Sequence, residues 1–169
     1  MSTREVVWGG RKILFTWRPS GNEDDYHPWS QAYGFCFTKE GKLLLVKGKH
    51  WMLTGGGREG EETPEETLRR EVREEASVTI SRIGFLGAME VHDPDNQTPR
   101  NKEESGHHFQ LRYAAIIDEI FPMEIDPASG ELFERRFIEP HEFPNYIDWG
   151  AHGPMMIKAA IVWFEKNKT

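Results

Sequence analysis

Hydrophobic and polar positions along the chain predict strands interleaved with two helices. Short apolar runs at 6–8 and 13–17 flank a Gly-Gly-Arg-Lys turn, which predicts an N-terminal β-hairpin over about residues 5–18. Apolar residues at helical spacing predict a C-terminal helix over about residues 152–166. Further strands are predicted at residues 32–38, 43–47, 78–91 (one bent strand or two short ones), 109–117 and 132–138. This order predicts an α/β fold, a sandwich with a mixed central sheet and helices on both sides.

Composition narrows the class of protein. The chain has 169 residues, which predicts one domain over residues 1–169. Hydrophobic residues make up 37%, enough to bury a core, and the formal net charge of −7 argues against nucleic acid as the partner. The single cysteine, Cys36, is expected to be a core residue. Because no segment approaches the roughly 18 apolar residues of a membrane span, and charges interrupt the first apolar run, we expect a cytoplasmic protein with no membrane partner.

The central helix has an unusually clear beginning. Thr63 at the N-cap and Glu66 three residues later form a capping box, with proline at the first helical position. From that start the helix is expected to end near Ala76. Leu68, Val72 and Ala76 then form an apolar stripe at a spacing of four, which predicts that this face packs on the sheet.

Three acids lie beside that stripe. Glu71, Glu74 and Glu75 occupy positions i, i+3 and i+4, so their carboxylates share one side of the helix, here called the acidic strip. Like charges at this spacing destabilise a helix by a few tenths of a kcal/mol per pair, a cost that a divalent cation would reverse. The glycines at 55–57 can present a carbonyl oxygen to the same cation. The alternative is a solvated charged face.

Other acids of the helix have a simpler interpretation. Glu65 precedes Arg69 by four residues, and Glu66 precedes Arg70 by four, which predicts two solvated ion pairs.

The whole segment, GGGREGEETPEETLRREVREEASV, resembles the signature of the Nudix hydrolases, G-x5-E-x7-R-E-U-x-E-E-x-G-U, where U is apolar. The pattern starts at Gly56 and ends at Val78, and every specified position agrees except one. Ser77 stands where the family usually has glycine, at a helix end that favours a left-handed backbone. Serine can adopt that conformation at a cost of about 1 kcal/mol. We therefore expect a slightly altered helix end and an intact site.

The resemblance implies both chemistry and site residues. Family members hydrolyse a nucleoside diphosphate linked to another group, by water attack on phosphorus with Mg²⁺ or Mn²⁺ bound. The resemblance implies a Nudix-like α/β/α sandwich and a small-molecule nucleoside diphosphate derivative as the substrate. The implied catalytic metal ligands are the carboxylates of Glu71, Glu74 and Glu75 and the carbonyl of Gly55. The implied structural residues of the motif are Gly56, Glu62 and Arg70.

A further acid in the family often comes from a downstream loop, as a metal ligand or general base. We expect Glu131, which follows Gly130 and precedes a predicted strand. Glu134, Glu103 and Glu104 compete for that role, and for each of them an ordinary surface acid is the alternative.

Two residues are candidates for contact with the substrate. Arg100 lies in the long polar loop at 92–106, where a cation could neutralise a terminal phosphate, and Lys102, His107 and His108 are its neighbours. Trp51, shortly before the glycines, could stack on a base, with core packing as the alternative.

Two other functions compete with hydrolysis. A non-catalytic module on the same fold could sense a nucleotide or sugar nucleotide, although a sensor has no need of three repelling carboxylates. A purely structural charged helix would bind no metal. The N-terminal hairpin is compatible with a homodimer formed by exchange, and no feature demands one.

Overall fold

A computed structural model describes residues 2–96 and 106–169. The strands of these residues are β1 (Ser2–Trp8), β2 (Arg11–Pro19), β3 (Trp29–Phe37), β4 (Leu43–Lys47), β5 (Trp51–Met52), β6 (Thr54–Gly57), β7 (Val78–His92), β8 (His107–Ile120) and β9 (Glu134–Ile138). The helices are α1 (Pro64–Ala76), α2 (Phe143–Tyr146) and α3 (His152–Asn167). Within the described residues, no helix combines the length and the apolar character that a membrane crossing requires.

The strands form one mixed sheet. Their order is β1-β2-β7-β8-β3-β4-β5, with β6 paired to β3 and β9 paired to β4. The β3–β8 pairing is parallel and the other pairings are antiparallel. The mixed sheet predicted from the order of elements is therefore confirmed.

Two hydrophobic cores cover opposite faces of this sheet. Phe35 and Phe37 of β3 belong to one core, whereas Cys36 between them belongs to the other, as the alternation of side chains along a strand requires. The first core includes buried residues of α2 and α3, and the second includes the apolar stripe of α1. Helices therefore cover both faces of the sheet, and the apolar stripe of α1 faces inward, as predicted.

The structure decides between two predicted alternatives for β7 and corrects one predicted pairing. β7 is one continuous strand, and its pairing with β8 shifts register at three places, between Thr79 and Ile80, between Ser81 and Gly84, and between Phe85 and Gly87. The predicted hairpin of β3 and β4 is joined by the single pair Phe37–Leu43, because β6 occupies the edge of β3 from Gln31 to Gly34. The glycine-rich turn is therefore itself part of the sheet, which fixes its position relative to α1.

The predicted capping box of α1 is present. The Thr63 side chain accepts a hydrogen bond from the Glu66 amide at 3.2 Å, and the Glu66 carboxylate accepts one from the Thr63 amide at 2.8 Å. The helix ends at Ala76, and Ser77 adopts the left-handed conformation with φ 53° and ψ 43°. The Ser77 hydroxyl accepts a hydrogen bond from the Glu124 amide at 3.1 Å. The serine therefore keeps the backbone of the usual glycine and adds a contact to the loop that follows β8.

Candidate active site

The acidic strip of α1 lies directly against β6. Glu75 is 6% exposed, and its Oε1 accepts a hydrogen bond from the Gly55 amide at 2.8 Å. An ideal Cβ on Gly56 would lie 2.7 Å from the Glu71 carboxylate, so a side chain at this position would displace that carboxylate. The two glycines therefore have different roles. The Gly55 amide donates to Glu75, and the lack of a Cβ on Gly56 leaves room for the Glu71 carboxylate.

Arg70 connects the acidic strip to the turn before the helix. Its Nε donates to Glu62 at 2.6 Å, and its Nη1 donates to Glu71 at 2.9 Å and to Glu74 at 3.2 Å. Its Nη2 donates to the Gly57 carbonyl at 2.8 Å. The hydrogen bond from Arg70 lowers the pKa of Glu62 to about 2. Glu62 and Arg70 therefore form a structural ion pair that fixes the turn on α1.

These contacts correct one predicted ion pair. Glu66 accepts from the backbone at the N-cap, and Arg70 turns toward Glu62 and the acidic strip, so the pair predicted between Glu66 and Arg70 is wrong. The pair between Glu65 and Arg69 is confirmed at 2.9 Å. The Thr63 amide at the N-cap has no hydrogen-bond acceptor within the helix, and the Glu66 carboxylate supplies one.

The site raises the pKa of two of its carboxylates, Glu75 and Glu71. Burial is the largest cause that raises the pKa of Glu75 to about 8, and repulsion from Glu71, Asp126 and Glu74 raises it further. Burial also raises the pKa of Glu71, although the hydrogen bond from Arg70 opposes the shift. The site therefore favours either a proton or another positive charge beside Glu75.

Asp126 is the acid that the sequence analysis missed. It is 5% exposed, in the loop between β8 and β9, and its charge acts on both Glu71 and Glu75. Its carboxylate accepts hydrogen bonds from the Ala128 amide at 3.1 Å, the Ser129 amide at 3.2 Å and the Ser129 hydroxyl at 2.7 Å. The signal in the sequence is the turn-forming run Asp-Pro-Ala-Ser-Gly, in which the aspartate caps its own turn.

Glu131 lies in the same loop with an exposed side chain. Its backbone carbonyl accepts a hydrogen bond from the Asp126 amide at 2.8 Å, while its carboxylate lies near Gly48, 3.9 Å from that residue's ideal Cβ. Its competitor Glu134 is exposed and pairs with Arg136 at 2.9 Å. The expected downstream loop thus does reach the acidic strip, through Asp126, and the role of Glu131 stays a prediction.

The residues beside the strip fit a hard divalent cation in chemistry. The donors are carboxylate and carbonyl oxygens, the ligands that Mg²⁺ and Mn²⁺ take, and the raised pKa of Glu75 reflects its burial first and the neighbouring carboxylates second. Across residues 2–96 and 106–169, no three Asp, Glu, His or Cys side chains are grouped closely enough to hold a metal ion. Glu71 and Glu74 instead have oxygens directed at Arg70.

The residues predicted to contact the substrate lie in different surroundings. The Trp51 ring is half-buried, packs edge-on against Tyr146 with centroids 5.4 Å apart, and lies 4.8 Å from the Arg136 guanidinium. His107 contacts Glu90 at 2.7 Å, and His108 is buried. The remaining predicted residues of the long loop, namely Arg100, Lys102, Glu103 and Glu104, lie outside the described residues. Substrate contact by Trp51 and Arg100 stays a prediction.

Cys36 has the character of a core residue. It is fully buried, and its surroundings raise the pKa of the thiol to about 12, chiefly through desolvation. A thiol that stays protonated at neutral pH is a poor nucleophile.

Comparisons with known proteins place this geometry in a family. A sequence profile of the NUDIX domain matches residues 27–158. Comparison with curated proteins gave no match. The solved structure of the pyrophosphohydrolase BsRppH of Bacillus subtilis is similar over 99% of this chain and 98% of its own, with a TM-score of 0.68 and 16% identity. A MutT structure, from work on Aliivibrio salmonicida and Vibrio cholerae, is similar over 77% of this chain and 93% of its own, with a TM-score of 0.54 and 16% identity.

At such low identity the two structures show a shared fold, and the profile match covers most of the chain. The resemblance drawn from the acidic helix and the glycine-rich turn is thereby confirmed. The chain belongs to the NUDIX family of hydrolases.

Proposed function

We propose that this hydrolase cleaves the pyrophosphate linkage of a small-molecule nucleoside diphosphate derivative, by attack of water on phosphorus. The observation that carries the proposal is the crowding at the acidic strip, where Glu75 and Asp126 are buried, Glu71 is half-buried beside them, and Arg70 is the neighbouring cation. Such crowding of like charges is costly unless a cation is taken up in the working state. The pyrophosphohydrolase and MutT among the similar structures support the same reaction class.

In this proposal Mg²⁺ or Mn²⁺ is held by Glu71, Glu74 and Glu75 together with the Gly55 carbonyl. The bound ion would screen the charge of the pyrophosphate and lower the pKa of the attacking water. Glu75 fixes the glycine-rich turn through the Gly55 amide. Arg70 holds the same turn through the Gly57 carbonyl. Both contacts keep the backbone of β6 in a defined position beside the carboxylates, which a reaction that depends on positioning requires.

Two acids of the loop after β8 have separate roles in the proposal. Asp126 is locked by three hydrogen bonds, so its fixed charge adds to the attraction for the cation. Glu131 is exposed and its carboxylate accepts none of the hydrogen bonds that lock Asp126, which suits a group that takes a proton from water. Glu131→Gln is then expected to lower kcat and leave KM within about twofold.

The test is a phosphate-release assay of the purified protein on a panel of nucleoside diphosphate derivatives, with a coupled phosphatase, in Mg²⁺, in Mn²⁺ and in chelator. We expect cleavage that requires the metal. Glu74→Gln should reduce kcat by about 100-fold or more while the melting temperature stays near that of the wild type. Glu65→Gln, a carboxylate on the outer side of the same helix, is the matched control and should keep full activity.

Two outcomes would contradict the proposal. Full activity of Glu74→Gln would remove the metal role of the acidic strip. Tight nucleotide binding without product over hours, in either metal, would instead favour the sensing module.

A further inference from the structure

A cavity of about 420 Å³ lies between the N-terminal hairpin, the sheet and α3. Its volume is in the range of small-molecule sites in proteins. Most of the lining is apolar, and four aromatic side chains contribute to it. The residues used below are Trp8, Phe15, Tyr33, Trp149, Gln110 and Arg112.

Arg112 is the unusual member of this lining. It is 5% exposed, and its Nε is buried without a hydrogen-bond partner. Its Nη2 donates to Gln110 Oε1 at 3.0 Å, and its guanidinium carbon lies 4.7 Å from the Tyr33 ring centroid and 5.8 Å from that of Trp149. No Asp or Glu is among the described residues that line the cavity. A buried guanidinium with an unpaired N–H and no carboxylate partner is costly, and a ligand that supplies acceptors would remove that cost.

The cavity adjoins the acidic strip through β6. An ideal Cβ on Gly55 would lie 2.6 Å from Tyr33, whereas one on Gly56 would lie 2.7 Å from the Glu71 carboxylate. Successive residues of β6 therefore face the cavity wall and the acidic strip. Leu53, next to β6 in the chain, also lines the cavity. A ligand seated beside Tyr33 can thus extend along the glycine-rich turn toward the carboxylates.

We propose that this cavity binds the base of the nucleotide substrate and that Arg112 selects a 6-oxopurine, guanine or hypoxanthine. This inference rests on the proposed function, since it names the substrate class of the same site. The aromatic walls match the flat faces of a base. A guanidinium donates well to the O6 and N7 acceptors of an oxopurine. The 6-amino group of adenine would instead direct donors at the donors of Arg112 and leave both unpaired.

The same geometry separates the two oxopurines from each other. Guanine differs from hypoxanthine in its 2-amino group, which needs an acceptor such as a carboxylate. None of the described lining residues is acidic, and the Oε1 of Gln110 already accepts from Arg112, so we expect the 2-amino group to gain little from them. We therefore expect guanine and hypoxanthine nucleotides to bind with equal affinity.

The test measures binding separately from hydrolysis. GDP, IDP, ADP and CDP are titrated into the 169-residue protein in chelator, with the change in tryptophan fluorescence as the signal, because Trp8 and Trp149 line the cavity. GDP and IDP should have Kd values within about twofold of each other and about tenfold or more below that of ADP. Arg112→Met should raise the Kd of GDP and IDP to the level of ADP and leave the Kd of ADP within about twofold.

Two further variants control for folding and for general loss of positive charge. Arg69→Met removes a guanidinium from the outer side of α1, where it pairs with Glu65, and should leave all four Kd values unchanged. Arg112→Gln keeps a polar planar side chain that can accept from the 6-amino group of adenine as well as donate to N7, so it should lose the preference for oxopurines even if Arg112→Met fails to fold.

The possible outcomes distinguish a failure of the cavity assignment from a failure of the proposed function. Equal affinity of the wild type for ADP and GDP, or retention of the oxopurine preference in Arg112→Gln, would overturn the assignment of the cavity. Metal-dependent hydrolysis without base preference would overturn it as well and leave the proposed function standing. Binding with the expected preference, but without hydrolysis in Mg²⁺ or Mn²⁺, would support the assignment and remove the proposed function.

Discussion

Replacement of Glu75 by glutamine should make the metal-free protein more stable while it removes activity. The pKa of Glu75 is raised from 4.5 to about 8, so the folded state binds more protons than the unfolded state between those two pH values. Stability of the wild type therefore falls as pH rises through this window. Linkage puts the cost of keeping Glu75 protonated in the folded state at about 1 kcal/mol at pH 5 and about 3 kcal/mol at pH 7. Glutamine takes up no proton in either state, and its Oε1 can still accept from the Gly55 amide.

The assay is urea unfolding of wild type and Glu75→Gln in chelator at pH 5, 6, 7 and 8. We expect the variant to be the more stable protein, by a margin that grows with pH across the series. Glu65→Gln, which loses only a surface pair with Arg69, should be slightly less stable than the wild type at every pH, by about 0.3–0.5 kcal/mol. A Glu75→Gln variant that is less stable than the wild type at pH 7, or whose advantage is constant with pH, would refute the account of a crowded, uncompensated carboxylate.

The remaining predictions concern the segments that hold the site. Thr63→Ala removes the N-cap acceptor of α1 and should lower the free energy of unfolding by about 1 kcal/mol in urea titrations. Gly55→Ala should cost about 1–3 kcal/mol and most of the activity, because a Cβ would overlap the backbone of β3, whereas Gly57→Ala meets no atom within 4 Å and should be almost neutral in both measurements. Ser77→Ala removes the acceptor of the Glu124 amide and should lower stability by about 1 kcal/mol, as measured by thermal unfolding; an unchanged melting temperature would mean that this hydrogen bond contributes nothing.

The local signals in the sequence were sufficient for α1 and the acidic strip. Capping chemistry at Thr63 and the spacing of the apolar stripe depend on neighbours within one helix, so they can be read from the sequence without knowledge of the fold. The pairing of β6 with β3 could not be read in this way, because three glycines are not typical of a strand. That pairing depends on the packing of α1 against β6, which the sequence does not display.

The two acids proposed for the downstream loop show the same limit in the site itself. The sequence favours Glu131 through its position before a predicted strand, and that position does not indicate whether the side chain is buried. Asp126 is the buried one because its carboxylate satisfies the amides of its own turn, which offsets the cost of removing the charge from water. Turn chemistry thus identifies a carboxylate that can be buried, but its proximity to Glu75 is a consequence of the whole fold.

Arg112 was overlooked for a related reason, although part of its signal is local. It stands in the apolar run FQLRYAAII, where alternation places it on the opposite face from Leu111 and Tyr113. A single arginine in a buried strand calls for a partner, and an acid at a neighbouring strand position would have been the ordinary one. Among the described residues that surround it are aromatic rings, a glutamine and the cavity, and no carboxylate lines that cavity. Since these residues supply no counterion for a buried charge, the compensation is expected to come from what the cavity binds.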